Sequence, residues 1–210
     1  MSLTIKQFVL GPLQNNTFLV WDDDTQACAV VDPSYGSGEV LEFIRAQKLK
    51  LEKILITHAH FDHTGGVNEL LTWPHESVRL YLHPDDQALW EAGGGSAELG
   101  FAFDQPQLRP TSIQHGEVIS LGSGQIDVCH TPGHSPGHVI YYLPENQTAL
   151  VGDLIFYHGV GRTDLPGGSA KALIQSIHEQ VLTLPGDTLL IPGHGSATSV
   201  GEEKTNNPFL

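Results

Sequence analysis

The segment Thr57-His58-Ala59-His60-Phe61-Asp62-His63-Thr64-Gly65-Gly66 puts three histidines and one aspartate within six residues. It follows an apolar, β-branched run, Ile54-Leu55-Ile56, and precedes a helix predicted to start after Gly65-Gly66. A loop at a strand end projects its side chains into the space beyond the sheet, where sites form. His58 and His60, two residues apart, can chelate one ion, and Asp62 and His63 can turn towards a second. An isolated His pair at this spacing is a weak signal. Four ligand-type residues in six, directly after a strand, make a strong one.

Three later segments have the same form: Cys129-His130-Thr131-Pro132-Gly133-His134, Ala149-Leu150-Val151-Gly152-Asp153 and Leu190-Ile191-Pro192-Gly193-His194-Gly195. In each, glycine lets the backbone turn sharply and hand the next side chain to a common pocket. A donor set of only His and Asp suits a borderline or harder divalent ion, Zn²⁺, Fe²⁺ or Mn²⁺. Seven ligands are too many for one ion, so a natural partition has His58, His60 and His134 on the first, Asp62, His63 and His194 on the second, and Asp153 bridging. Each histidine taken singly has a bland alternative as a turn residue. Repetition of strand, glycine and ligand along the chain weighs against it.

The rest of the composition sets bounds. A chain of 210 residues suits one compact domain, 1–210. Its 24 acidic and 10 basic residues give a net charge of −14, which repels phosphate backbones and argues against nucleic acid as partner. No run approaches the roughly 18–20 apolar residues of a membrane-spanning helix. The N-terminus, Met1-Ser2-Leu3-Thr4-Ile5-Lys6-Gln7-Phe8, lacks the charged and apolar regions of a signal peptide, so a cytoplasmic protein is expected. Cys28 and Cys129 read as buried strand positions acting as small hydrophobes, with no disulfide expected in that compartment.

Short β-branched runs predict strands at 5–10, 17–21, 28–32, 53–57, 79–82, 118–121, 126–130, 139–143, 148–152 and 189–192. Apolar residues at helical spacing predict helices near 37–48, 67–71, 84–92 and 169–183, the last with Ser169 as N-cap. Residues 93–107 break the rhythm and read either as a surface loop near a site or as a plain connector. Strands in two groups, each with helices outside, predict two sheets packed face to face with helices on both outer faces. Of the 12 histidines, His75, His83, His115, His130, His138, His158 and His178 read as surface, turn or strand residues. His158, Lys204 and Asn206 are candidates to reach the pocket.

These motifs together resemble the metallo-β-lactamase superfamily, whose mark is the HxHxDH segment, here 58–63. Its further ligand motifs correspond to TPGH at 131–134, GD at 152–153 and PGH at 192–194. The resemblance spans essentially the whole chain and implies an α/β fold, the four-layer αββα sandwich. Two branches are similar: hydroxyacylglutathione hydrolase, or glyoxalase II, and persulfide dioxygenase. Gly159-Val160-Gly161-Arg162-Thr163-Asp164 and the ending Gly201 to Leu210 look most like a short bacterial glyoxalase II. Long glyoxalase II enzymes add a C-terminal helical region with basic residues that hold glutathione, whereas this sequence stops 16 residues after His194. They also have a substrate-binding tyrosine after the last metal histidine, where this sequence has Gly195-Ser196. Secreted β-lactamases are a poor match, because Asp153 occupies a position they commonly give to Cys.

The resemblance implies hydrolysis of a small glutathione thioester, typified by S-D-lactoylglutathione, to D-lactate and glutathione. The nucleophile expected is a hydroxide bridging two divalent ions. A thioester suits such a site because a thiolate, its thiol pKa roughly 8.5, leaves without obligatory protonation. Asp62 is read as ligand or as proton acceptor and Asp153 as the bridging carboxylate. Arg162 would hold a glutathione carboxylate, with a structural pair to Asp164 as the alternative. The runner-up is a persulfide dioxygenase with one Fe²⁺ on His58, His134 and Asp153, a two-His-one-carboxylate set. A third reading is a metal-stabilised binding protein without turnover. The partner expected is a small molecule, with no membrane or nucleic acid, and the protein a monomer.

Overall fold

The computed structural model describes residues 2–72 and 77–210; His75 lies outside the described residues. The first sheet takes the strands β1 (Thr4–Leu10), β2 (Asn15–Trp21), β3 (Ala27–Val31), β4 (Lys50–Leu55), β5 (Arg79–Leu82) and β6 (Thr111–Ser112), side by side in chain order. It begins as an antiparallel meander and turns parallel from β3 onward. The parallel crossovers carry α1 (Gly38–Ala46), α2 (Phe61–Thr64), α3 (Val67–Leu70) and α4 (Gln87–Glu91).

The second sheet holds β7 (Val118–Leu121), β8 (Gly124–His130), β9 (Val139–Leu143) and β10 (Thr148–Gly152). A separate hairpin, β11 (Ile155–Phe156) with β12 (Gly159–Val160), leads into α5 (Ala170–Ser176), then β13 (Leu189–Pro192), β14 (Thr198–Ser199) and α6 (Val200–Asn206). β13 pairs parallel with β10, and β9 runs antiparallel to both β8 and β10. β8, β10 and β13 therefore point the same way and deliver their C-terminal ends to one edge.

The period-two alternation of the strands assembles the layers. In β3, Ala29 and Val31 face the inter-sheet core, where they meet Val128, Tyr141, Leu150 and Ile191 of the second sheet. Cys28 and Val30 face the opposite way, onto Val40, Leu41 and Ile44 of α1. In β10, Leu150 is inward, while Ala149 and Val151 meet Leu173 of α5 and Val200 of α6. The result is the expected αββα sandwich.

Differences from the expected elements are local. The helix expected over 169–183 is capped as predicted, Ser169 Oγ accepting from the Ala172 N–H, but it widens into a π-helical turn at Ile177–Val181. The helix expected over 84–92 starts as a 3₁₀ turn at Pro84–Asp86 before α4. The hairpin β11–β12, the strand β14 and the helix α6 are additions the sequence pattern did not reveal. None offers enough residues for a period to emerge.

Cys28 is buried against α1, but Cys129 is only half-buried, correcting the expectation for it. Both are free thiols, and burial pushes Cys28 up to about 12. Cys28 is therefore expected to resist a thiol reagent at pH 8 until the protein is denatured, because the thiolate is the reacting form. Rapid modification of Cys28 in the native protein would contradict this packing.

Candidate metal centre

The loops after β4, β8, β10 and β13 meet at one edge of the sandwich. The turn of α2 wound onto 61–64 carries Asp62 and His63, while His58 and His60 precede it. Two three-residue sets result, each with its potential ligand atoms within 4.8 Å of one another: His58, His60 and His134, and Asp62, His63 and His194. Asp153 reaches both, its Oδ1 3.5 Å from His63 Nε2 and its Oδ2 3.7 Å from His134 Nε2 and 3.8 Å from His194 Nε2. His58, His63 and Asp153 form a third, overlapping set. Every ligand-type residue singled out in the sequence is thus brought to one place.

The surrounding hydrogen bonds decide what these side chains present. Thr57 Oγ1 donates to Asp32 Oδ2, so it accepts from His58 Nδ1, leaving His58 Nε2 as a bare lone pair. His134 Nδ1 donates to the Arg162 carbonyl, His194 Nδ1 to the Leu13 carbonyl and His63 Nδ1 to Asp32 Oδ2. Each of these rings then turns its Nε2 to the shared space, with His58 Nε2 and His134 Nε2 3.2 Å apart and His60 Nδ1 2.9 Å from His134 Nε2. Among the described residues, buried His63 Nε2 and Asp153 Oδ1 have no hydrogen-bond partner. Ring nitrogens and carboxylates converging on one space call for positive charge between them, and one nitrogen fixed by an outer partner is how metal-ligating histidines are held. The donor set therefore fits divalent metal ions.

The electrostatics agree. Burial drives His58 well below its ordinary range, reinforced by His63 and His134, and lowers His60 to about 4 with help from His134. Burial also opposes a charge on His63, but Asp62, Asp153 and Asp32 overcome it and lift it to about 10. Burial would raise Asp62, yet His63 and His194 hold its carboxyl well below the carboxylate range. Without metal, the charge the carboxylates require is a proton on His63. Metal binding must expel that proton. We expect Zn²⁺ titration of the metal-free protein at pH 7.5 to release at least about one proton per chain. Calorimetry in two buffers of different ionisation enthalpy measures it, and His63→Ala should lose it. Metal uptake without proton release would contradict the assignment.

The residues that brace the ligands are largely ones the sequence did not single out. Asp32, read as the end of a strand, is buried and accepts from the Thr57 N–H, Thr57 Oγ1 and His63 Nδ1. Asp86, read as a helix first-turn acid, is buried and joins the loops of His58–His60 and His134. His138, grouped with the surface, turn or strand histidines, lies fully buried beside His58 and accepts from the Asp153 N–H through Nε2. Gly152 has φ +48, and a Cβ there would lie 2.6 Å from Thr57 Oγ1 and 2.7 Å from His138 Nε2.

Other expectations need correction. His158 bonds Glu202 at 2.7 Å and does not line the pocket; nor do Lys204 and Asn206, which lie on α6 with Asn206 bonded to Glu202. His83 and His130 stack face to face, centroids 3.9 Å apart and planes 10° apart, close to Asp85. Parallel rings aim their lone pairs side by side rather than at a common point.

A cavity of about 570 Å³ opens over the centre, with His60, Asp62, His134, Asp153 and His194 in its floor. Arg162 lines it as well, and its guanidinium forks onto exposed Asp164 at 2.7 and 2.8 Å. The structural pair with Asp164, the alternative reading of Arg162, is present, and an exposed ion pair of this kind is weak. The stretch 93–107, left open as loop or connector, supplies Gly94, Gly95, Ala97, Glu98 and Leu99 to the cavity wall.

A four-layer αββα sandwich with His/Asp sets at its strand ends defines a scaffold fit to hold metal ions. The sequence profile of the metallo-beta-lactamase superfamily matches residues 10–194, and the chain belongs to that superfamily. It is 36% identical to the hydroxyacylglutathione hydrolase GloC of Haemophilus influenzae over 99% of this chain and 98% of that one. It is 31% identical to the human mitochondrial persulfide dioxygenase ETHE1 over 92% of this chain and 70% of that one. Among solved structures, TTHA1623 in a di-iron-bound form matches with TM-score 0.88 and 39% identity, covering 98% of this chain and all of that one. The BLEG-1 B3 metallo-beta-lactamase matches with TM-score 0.90 and 35% identity over 99% of both chains.

Proposed function

We propose that this chain hydrolyses S-(hydroxyacyl)glutathione thioesters, with S-D-lactoylglutathione giving D-lactate and glutathione as the type reaction. The observation that carries this reading is the meeting of two complete His/Asp sets at Asp153, on the floor of a cavity lined by Arg162. The likeness to GloC supports it. His58, His60 and His134 would hold one divalent ion, Asp62, His63 and His194 the other, and Asp153 both; Zn²⁺, Fe²⁺ and Mn²⁺ suit the donors. When bound, such a pair supplies an ionised water at neutral pH and a Lewis acid for a carbonyl.

The chain's own residues do the rest. Asp62, with a carboxyl far below the ordinary range, is a poor proton acceptor and serves as a ligand rather than a base. Arg162 exchanges Asp164 for a carboxylate of the glutathione arm, a bidentate match. Its carbonyl meanwhile fixes the His134 ring, so one residue touches substrate and positions a ligand. Thiolate departure asks for no acid, and none is assigned. The reading takes 1–210 as one domain whose own loops contact glutathione, acting in the cytoplasm.

A second reading is favoured by one observation: His58, His134 and Asp153, the mononuclear iron set of the resemblance, also converge here. The likeness to ETHE1 supports it. The test is anaerobic hydrolysis of S-D-lactoylglutathione by metal-quantified protein, with His58→Ala as control. Turnover requiring about two metals per chain and no oxygen is expected. Absence of turnover at full metal loading, with oxygen uptake on glutathione persulfide, would replace the hydrolase by the dioxygenase.

A further inference from the structure

The cavity is two-sided. Arg162 lies on one side. The other is built by α4 and the loop after it, which contribute Ala88, Leu89, Ala92, Ala97 and Leu99, with Phe61 beneath. Ala88, Ala92 and Ala97 are small, and the room in the cavity exists because they are. Gly93, Gly94 and Gly95 all adopt left-handed φ, +75, +64 and +79, and fold the loop back as a wall. The Gly94 carbonyl accepts from the Phe61 N–H at 3.1 Å, fastening that wall to the turn that carries Asp62 and His63. Leu99 is 62% exposed and Leu13, across the cavity, 42%, so large apolar side chains stand in water here. Among the described residues lining this side, the charged ones are Asp85 and Glu98, both anionic. An apolar recess edged by carboxylates repels an anionic group and gains from covering by an uncharged one.

We infer that this recess is an acyl-binding site, selecting thioesters whose acyl group is uncharged, apolar and longer than lactoyl, while the thiol arm takes the Arg162 side. The inference rests on the thioesterase reading and adds a substrate class to it. Hydroxyacyl groups as small as lactoyl leave the recess wet, whereas butanoyl and hexanoyl groups cover Leu89 and Leu99. A succinyl group, with its terminal carboxylate beside Glu98 and Asp85, is excluded.

Non-hydrolysable S-alkylglutathione thioethers separate binding from turnover. Calorimetric titration of metal-loaded protein with S-methyl-, S-butyl- and S-hexylglutathione should show Kd tightening by about threefold to fourfold per added methylene, which is ~0.8 kcal/mol for each buried CH₂. Ala92→Phe, which fills the recess, and Leu99→Asp, which makes it polar, should each bring the hexyl-to-methyl affinity ratio towards one. Thermal melts of both variants check that they fold, and either alone suffices. A thioether ending in a carboxylate should bind more weakly than S-hexylglutathione, and Glu98→Gln should narrow that gap. A flat or falling alkyl series, with S-D-lactoylglutathione still hydrolysed, overturns the recess and leaves the thioesterase reading intact. The same rise on alkyl thioethers of N-acetylcysteamine, with no glutathione thioester turned over, upholds the recess and overturns the glutathione assignment. No chain-length dependence on either thiol overturns the inference outright.

Discussion

Asp153→Asn is expected to lower kcat/KM on S-D-lactoylglutathione by at least about 10³-fold, the loss of ~4 kcal/mol of charge stabilisation at the reacting centre. It should also bring the metal content below that of the parent. The substitution is nearly isosteric and the backbone is clamped around it. The Asp153 N–H donates to His138 Nε2 at 3.1 Å, and a Cβ on Gly161 would overlap the Asp153 carbonyl. Asn therefore enters in the same position, and what disappears is the charge shared by His63, His134 and His194. In place of one oxygen the amide offers an NH₂, a donor that can satisfy one bare Nε2 but cannot ligate a cation. The metal-free variant should consequently melt close to the metal-free parent, while the stabilisation that metal adds to the parent shrinks. Metal analysis, steady-state kinetics and melts with and without chelator measure the three quantities. A variant that keeps its full metal complement and activity within tenfold would remove Asp153 from the bridging role.

The sequence exposed the ligand edge and hid what holds it. His58, His60, Asp62 and His63 were legible because one strand end concentrates them in six residues. His134, Asp153 and His194 were legible because each follows a short β-branched run and a glycine. The layers were legible because the predicted strands fall into two groups along the chain, each with helical segments beside it. The bracing residues carry no such signature. Asp32 and Asp86 each follow a strand as ordinary turn acids would, and their donors lie 25 to 51 residues away along the chain. His138 looked like one more strand-edge histidine, because its partners, Thr131 and the Asp153 N–H, come together only when β8, β9 and β10 pair. The stretch 93–107 was legible only in part, as a surface loop near a site or a plain connector, for a different reason. Glycines with left-handed φ read as a loop in any sequence, and only the fold tells which surface that loop covers.

Asp86→Ala is the substitution outside the ligand set expected to cost the most stability, about 3–5 kcal/mol. For a domain of this length that is a fall of roughly 6–20 °C in the melting midpoint. Asp86 is completely buried, and its oxygens accept from the Ala59 N–H at 2.9 Å, Ser135 Oγ at 2.7 Å and the Gly137 N–H at 2.6 Å. Burial still holds its carboxyl above the ordinary value, so the carboxylate's charge is not fully compensated. The cost of removal comes from the other side: two backbone N–H groups and a hydroxyl lose their acceptor inside the protein, each worth ~1–3 kcal/mol unpaired. No water can follow easily, because the Gly137 backbone packs directly on Asp86, a Cβ there falling 2.5 Å from the Asp86 nitrogen. Asp86→Asn should be intermediate, since one amide oxygen replaces two acceptors and the NH₂ then faces a donor. The loss reaches the site as well. Ala59 lies between His58 and His60, and Ser135 follows His134, so the same three bonds register every member of the first ligand set. Metal affinity at that set should therefore fall by about 10- to 100-fold, as when an outer partner of a ligand is lost. Chelator competition on protein kept well below its melting midpoint separates this from global unfolding. An Asp86→Ala protein that melts within a degree or two of the parent and holds metal equally well would show that the two ligand loops are registered by packing alone, without this carboxylate.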